Sequence, residues 1–144
     1  KKLLIPLCNL ITPNIPEAAV LTGHSILNKA DMIKAAKRII NMGAKNVLLK
    51  GGHLKSKMIC DILATTKEIK VFSKGKIKTK NTHGTGCTLS SALATCLSQK
   101  KNIFNSCKIS LNYVNQAITY APGYGKGYGP LNHLVLFNSR NTNV

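Results

Sequence analysis

Short apolar runs that stop at glycine, proline or asparagine alternate along the chain with segments whose apolar residues return every three or four positions. The first pattern suits a buried strand and the second a helix with one buried face. Strands alternating with helices predict an α/β layered fold with a mainly parallel sheet. Ligands of such folds collect at the carboxyl ends of the strands. The loops after the predicted strands are therefore where chemistry is expected.

Residues 3–12 read as a strand running into the Thr12-Pro13-Asn14 turn. Pro16 to Leu21 reads as a short helix, with Pro and Glu at its start and Gly23 just past its end. Asp31 is the expected start of the next helix, with Met32, Ala35, Ala36, Ile39 and Ile40 on its buried face and Gly43 as its stop. A buried strand from Asn46 ends at Gly51-Gly52, strands at 59–65 and 69–73 join through Thr66-Lys67-Glu68, and a further strand covers 76–81. After the loop 82–87, Leu89, Ala92, Leu93, Cys96 and Leu97 mark a helix. Phe104, Cys107, Leu111, Val114, Ile118 and Ala121 mark the last helix, closed by Pro122-Gly123. A glycine-rich loop at 124–130 and an apolar run at 134–137 complete the chain. No repeat or linker interrupts it, and 144 residues fit one domain.

Lysine and arginine number 21 against four Asp and Glu, a formal net charge of +17. Such a charge points first to a polyanion. Yet only Arg38 and Arg140 carry the planar fork that reads base edges, and no aromatic residues interleave the lysines for base stacking. A solvated basic surface is expected rather than a nucleic-acid reader, with a basic polyanion-binding remnant as the alternative. No apolar run approaches the roughly 20 residues of a membrane helix, and no secretory signal opens the chain. Its start at Lys1-Lys2-Leu3, without Met, is that of a processed, trimmed or partial chain. The five cysteines are an odd number with no C-x-x-C pair, which argues against a disulfide scaffold or zinc cluster and for a reducing cytoplasm. The sequence leaves a homodimer open.

Three loops come directly after predicted strands: 12–17, 50–53 and 82–87. In the last, Gly84-Thr85-Gly86-Cys87 precedes a helix. Glycines let a backbone approach a ligand, and the open amides of a helix start favour a phosphoryl group. A thiol at a helix N-terminus ionises more readily, so Cys87 suits a base for an acceptor hydroxyl. The competing reading is a packed cysteine beneath a structural turn. No Gly-Lys-Ser/Thr succeeds the loop, so this is not a Walker A sequence. Glu17 is either a water-mediated Mg²⁺ holder or a carboxylate favourably placed in a first helical turn. Lys50 is either a point charge for a polyphosphate or a strand-end surface lysine.

These pieces give a family resemblance that covers nearly the whole chain. It is carried by Ile11-Thr12-Pro13-Asn14-Ile15-Pro16-Glu17-Ala18, by Leu49-Lys50-Gly51-Gly52-His53, and by Asn81-Thr82-His83-Gly84-Thr85-Gly86-Cys87-Thr88-Leu89-Ser90. A fourth match is Gly125-Lys126-Gly127-Tyr128-Gly129-Pro130-Leu131-Asn132-His133. The sequence resembles the hydroxymethylpyrimidine/phosphomethylpyrimidine kinases of thiamine biosynthesis, within the ribokinase-like superfamily, in their C-terminal part. The resemblance implies a three-layer α/β/α fold and a cytoplasmic enzyme that moves the γ-phosphate of ATP onto a small pyrimidine. It further implies that Gly84, Thr85 and Gly86 form an anion hole and that Cys87 is the catalytic base, where most ribokinase-like sugar kinases have aspartate. Asn14, Lys50, Thr82 and Lys126 are then nucleotide-binding, with Glu17 at Mg²⁺. A pyridoxal kinase is the near alternative, since some of those enzymes share the cysteine. Members of the family are about twice as long, and their N-terminal half carries the pyrimidine-binding segment.

Overall fold

The structure, a computed structural model, describes residues 1–54 and 56–135. These residues group into two compact units that divide between Lys76 and Ile77.

In the first unit the predicted strand at 3–12 is replaced by a 3-10 turn at Ile5–Leu7. Pro6 lies at the start of that turn and has no N–H to give to a ladder. Strand-like pairing begins only at Ile11. Its N–H donates to the Asn46 carbonyl at 3.0 Å, Leu48 N–H donates to Ile11 at 2.8 Å, and Lys50 N–H donates to Pro13 at 2.9 Å. Helix α1, Ile15–Thr22, ends at Gly23 with φ 72°, a left-handed stop that glycine adopts readily.

Helix α2 is Lys29–Asn41. Its cap is Asn28, whose side chain accepts the Asp31 N–H at 3.0 Å. Asp31 therefore lies within the first turn instead of initiating it, and its carboxylate accepts the Leu27 N–H at 3.1 Å. The periodicity placed the buried face well: Met32, Ala35, Ala36 and Ile39 are buried, and Ile40 packs at the margin.

Strands β1 (Asn46–Leu49), β2 (Met58–Thr65) and β3 (Ile69–Gly75) form a sheet in the order β1-β2-β3. Both pairings are antiparallel, so these strands depart from the mainly parallel sheet expected. The connections explain it. Residues 50–57 and 66–68 separate the strands, and a parallel return needs about a dozen residues or more. Parallel pairing among the described residues is confined to bridges, Ile11 with Val47, Asn14 with Lys50, and His83 with Pro130. Val47, Leu48, Leu49, Ile62, Leu63 and Ala64 are all buried. Most of them join the α2 face in one apolar core.

The predicted strand at 76–81, all but its first residue in the second unit, is irregular. Lys76, Lys78 and Lys80 alternate there with a single large apolar residue, Ile77, too little to seat a strand in a core. Helices α3 (Thr85–Ser98) and α4 (Ile103–Thr119) pack together. Leu89, Leu93 and Cys96 are buried on α3, and Cys107, Leu111, Val114 and Ala117 on α4. Phe104, expected on the buried face, is 37% exposed. Ala117 also packs with Leu131 and Val135. The predicted apolar run at 134–137 extends beyond the described residues. No described helix is long and apolar enough to cross a membrane.

Candidate functional site

The Gly84-Thr85-Gly86-Cys87 segment is the opening of α3 itself. Gly84 is the residue before the helix, with φ 82° and ψ 1°, a left-handed conformation costly for any residue with a Cβ. It puts Thr85, Gly86 and Cys87 in the first turn. The Gly84 carbonyl accepts the Thr88 N–H and the Thr88 hydroxyl, each at 2.9 Å. No side chain caps the helix. Thr85 spends its N–H and its hydroxyl on the Thr82 carbonyl, at 3.3 and 2.7 Å. The amides of Gly86 and Cys87 have no acceptor among the described residues. An uncapped helix start with two open donors is able to receive an anion.

Cys87 is exposed at that same turn, and its sulfur is free. It borders a cleft of about 500 Å³ lined also by Ser91 and Thr95 of α3, Ile109 and Tyr113 of α4, and His133. His133 Nε2 lies 3.0 Å from the Thr88 hydroxyl, and its carbonyl accepts the Tyr113 hydroxyl at 3.0 Å. In the sequence His133 is only a loop residue, and nothing local signals this link.

The loop bearing Lys126 lies beside the Thr82–Gly84 segment. His83 N–H donates to the Gly129 carbonyl at 3.2 Å, and Lys80 Nζ to the Lys126 carbonyl at 3.4 Å. The Asn81 amide group packs where a Gly129 side chain would stand. Thr82, Gly84, Thr85, Gly86, Cys87 and Lys126 are thus assembled in one part of the second unit. The Lys126 side chain is exposed.

The first unit assembles the other predicted residues. Asn14 and Lys50 pair across the parallel bridge, and Glu17 is one turn into α1. Asn14 and Glu17 form a reciprocal cap: Asn14 Oδ1 accepts the Glu17 N–H at 2.9 Å, and Glu17 Oε2 accepts the Asn14 N–H at 2.7 Å. The spacing Asn-x-x-Glu is a capping-box signature, a local role that the sequence already encoded. Asn14→Ala is expected to destabilise the fold by about 0.5–2 kcal/mol, measured as a lower urea midpoint at unchanged slope. No group of three or more His, Cys, Asp and Glu able to hold a metal occurs among the described residues. The donor set here is one carboxylate, with Oε1 left over from the cap. That fits a cation carried mainly by substrate phosphates and water, as Mg²⁺ is in many nucleotide sites.

Asp61 has no counterpart among the residues that the sequence motifs single out. It lies mid-strand in β2, is 4% exposed, and accepts the Gly51 N–H at 2.9 Å. Burial pushes its carboxyl above the usual value, against the pull of the Gly51 N–H and of the Lys74 and Lys50 charges. Burial likewise pushes the Lys74 ammonium down, against the pull of Asp61. In both groups loss of water outweighs attraction. A mid-strand Asp in an otherwise apolar run was the available signal.

The helices and sheet define an α/β protein, and comparison with solved structures agrees on the fold. The chain matches Bacillus subtilis pyridoxal kinase in an ADP complex with a TM-score of 0.89 and 33% identity, over 94% of this chain and 52% of that one. Its fold is ribokinase-like. Residues 1–132 match the phosphomethylpyrimidine kinase family, and the chain belongs to that family. It is 40% identical to the hydroxymethylpyrimidine/phosphomethylpyrimidine kinase of Bacillus subtilis, over 99% of this chain and 53% of the relative. It is 45% identical to the thiamine biosynthesis bifunctional protein ThiED of Geobacter sulfurreducens, over 94% of this chain and 28% of that protein. The chain therefore spans about half the length of the first of these and less of the second.

Proposed function

We propose that this chain is the phosphate-handling portion of an ATP-dependent kinase that phosphorylates hydroxymethylpyrimidine or its monophosphate in the cytoplasm. The observation that supports it is the start of α3: two open amides and an exposed thiol share one helical turn. The amides of Gly86 and Cys87 stabilise charge on the migrating phosphoryl oxygens, and such fixed donors supply much of the rate in phosphoryl transfer. Cys87 takes the proton of the acceptor hydroxyl as its oxygen attacks phosphorus and the bond to ADP breaks. Lys50 holds the nucleotide phosphates as a point charge, Asn14 keeps the start of α1 in place, and Thr82 and Lys126 border the nucleotide. Glu17, with phosphate oxygens and water, would hold Mg²⁺, which supplies charge neutralisation on the polyphosphate.

A pyridoxal kinase is the second reading, favoured by the match to the B. subtilis pyridoxal kinase structure. Both readings are tested by one assay. The chain is incubated with Mg·ATP and either acceptor, alone and joined to the portion of the B. subtilis relative that it does not match. Turnover at least about tenfold faster with hydroxymethylpyrimidine, a margin of about 1.4 kcal/mol in transition-state stabilisation, is the expected result. Faster pyridoxal turnover would favour the second reading. No ATP turnover in either preparation, together with tight duplex-DNA binding at physiological salt, would replace both with a basic polyanion binder.

A further inference from the structure

We propose that Asp61 is a positioning residue for Lys50: from beneath the end of β1 it holds the Gly51 amide and so fixes the backbone on which Lys50 meets Asn14. This deepens the kinase reading and rests on it for the role of Lys50. The links are all direct. Asp61 Oδ1 accepts the Gly51 N–H, and Lys50, the preceding residue, donates its own N–H to Pro13 at 2.9 Å and bridges Asn14. Asn14 is locked to Glu17 by the reciprocal cap. Gly51 has no room for a side chain against the Cys60 carbonyl and Met32, so the turn sits directly on the strand that carries Asp61. A buried hydrogen bond at the root of a short turn sets the position of the neighbouring residues.

Burial works against the ionised form of Asp61. Its carboxyl is raised by burial, so its stabilising contribution is complete below the unfolded value and is lost as pH rises through the folded value. The charged groups that act on it, Lys50 at the end of β1 and Lys74 on β3, do not reverse that balance. A buried carboxyl kept on the Gly51 amide in such a place is what a positioning role would retain.

The test compares the unaltered chain with Asp61→Asn, which keeps an acceptor for Gly51, and Asp61→Val, which does not. Three readouts are used: amide hydrogen exchange at Gly51, amide chemical shifts at Asn14 and Lys50, and affinity for Mg·ATP. Asp61→Val is expected to speed Gly51 exchange and weaken Mg·ATP binding by about tenfold each. It should also move the Asn14 and Lys50 signals. Asp61→Asn is expected to recover most of the binding while melting above the unaltered chain at pH 7.5, an advantage that vanishes near pH 3. A purely structural role would make binding follow melting temperature across the set, and that pattern overturns the proposal. Unmoved Asn14 and Lys50 signals in Asp61→Val overturn it as well. If Asp61→Val does not fold, Asp61→Asn decides: Gly51 still protected from exchange while Mg·ATP binding is lost would overturn the proposal, and both retained would support it. Should the unaltered chain not bind Mg·ATP, the kinase reading of this chain fails, while the exchange and shift measurements still decide the part of Asp61.

Discussion

Cys87→Ala is expected to lower kinase turnover by about 10²–10⁴-fold, the usual range for losing a positioned general base, with little change in melting temperature. The side chain is exposed, and substitutions at exposed positions mostly stay within about 0.5 kcal/mol of the parent. The helix that carries it is held by contacts elsewhere. Leu89 and Leu93 are buried, and the Gly84 carbonyl is bonded whatever residue stands at 87. The preparation is the one that turns over hydroxymethylpyrimidine, with melting recorded in parallel. Undiminished turnover would remove the proposed base and leave the helix start as an anion site alone.

Gly51→Ala is expected to be the most damaging small substitution in the first unit. The added methyl would be driven into the Cys60 carbonyl, with Met32 Cε only 3.1 Å away. The obstacle is backbone inside a paired strand, which cannot swing aside as a flexible side chain could. Relief requires separating β2 from the turn after β1, and overpacking of this kind costs about 1–3 kcal/mol, sometimes more. The same displacement withdraws the Gly51 N–H from Asp61 and shifts Lys50, so Mg·ATP affinity should fall with stability. Denaturant unfolding reads the first effect and a binding titration the second. Full stability in Gly51→Ala would mean that the turn can lift from β2 freely.

The legible part of the fold came from local, repeated physics. The α2 face of Met32, Ala35, Ala36 and Ile39 was readable because burial at helical spacing leaves a stripe in the sequence. The stop at Gly23 was readable because few other residues take its dihedral angles cheaply. Strands β1, β2 and β3 were placed within a residue or two, yet their direction differs from the expectation: alternation with helices suggests parallel returns, while the short links force hairpin-like ones. The 3–12 segment misleads because its apolar composition hides the effect of Pro6. At 76–81 alternation with lysine imitates a strand that has no partner ladder. In the site, the residues of the four motifs were identifiable as residue types in order. The pairing of Asn14 with Lys50 and the link of His133 to Thr88 were not, because each joins positions more than 30 apart. Asp61 escapes a sequence reading because a lone acid in a strand gains meaning only once the Gly51 amide is seen above it.

The contact between His133 and Thr88 has a consequence for how the chain comes to be folded. The two residues are 45 positions apart, so the second is made well after the first. Helices α3 and α4 lie between and can form as soon as they leave the ribosome, but the opening turn of α3 gains this fastening only when residue 133 has emerged. Trimming the protein before Asn132, whose N–H also bonds Ala117 at 2.9 Å, would therefore leave both helices while stripping away the latch at the start of α3.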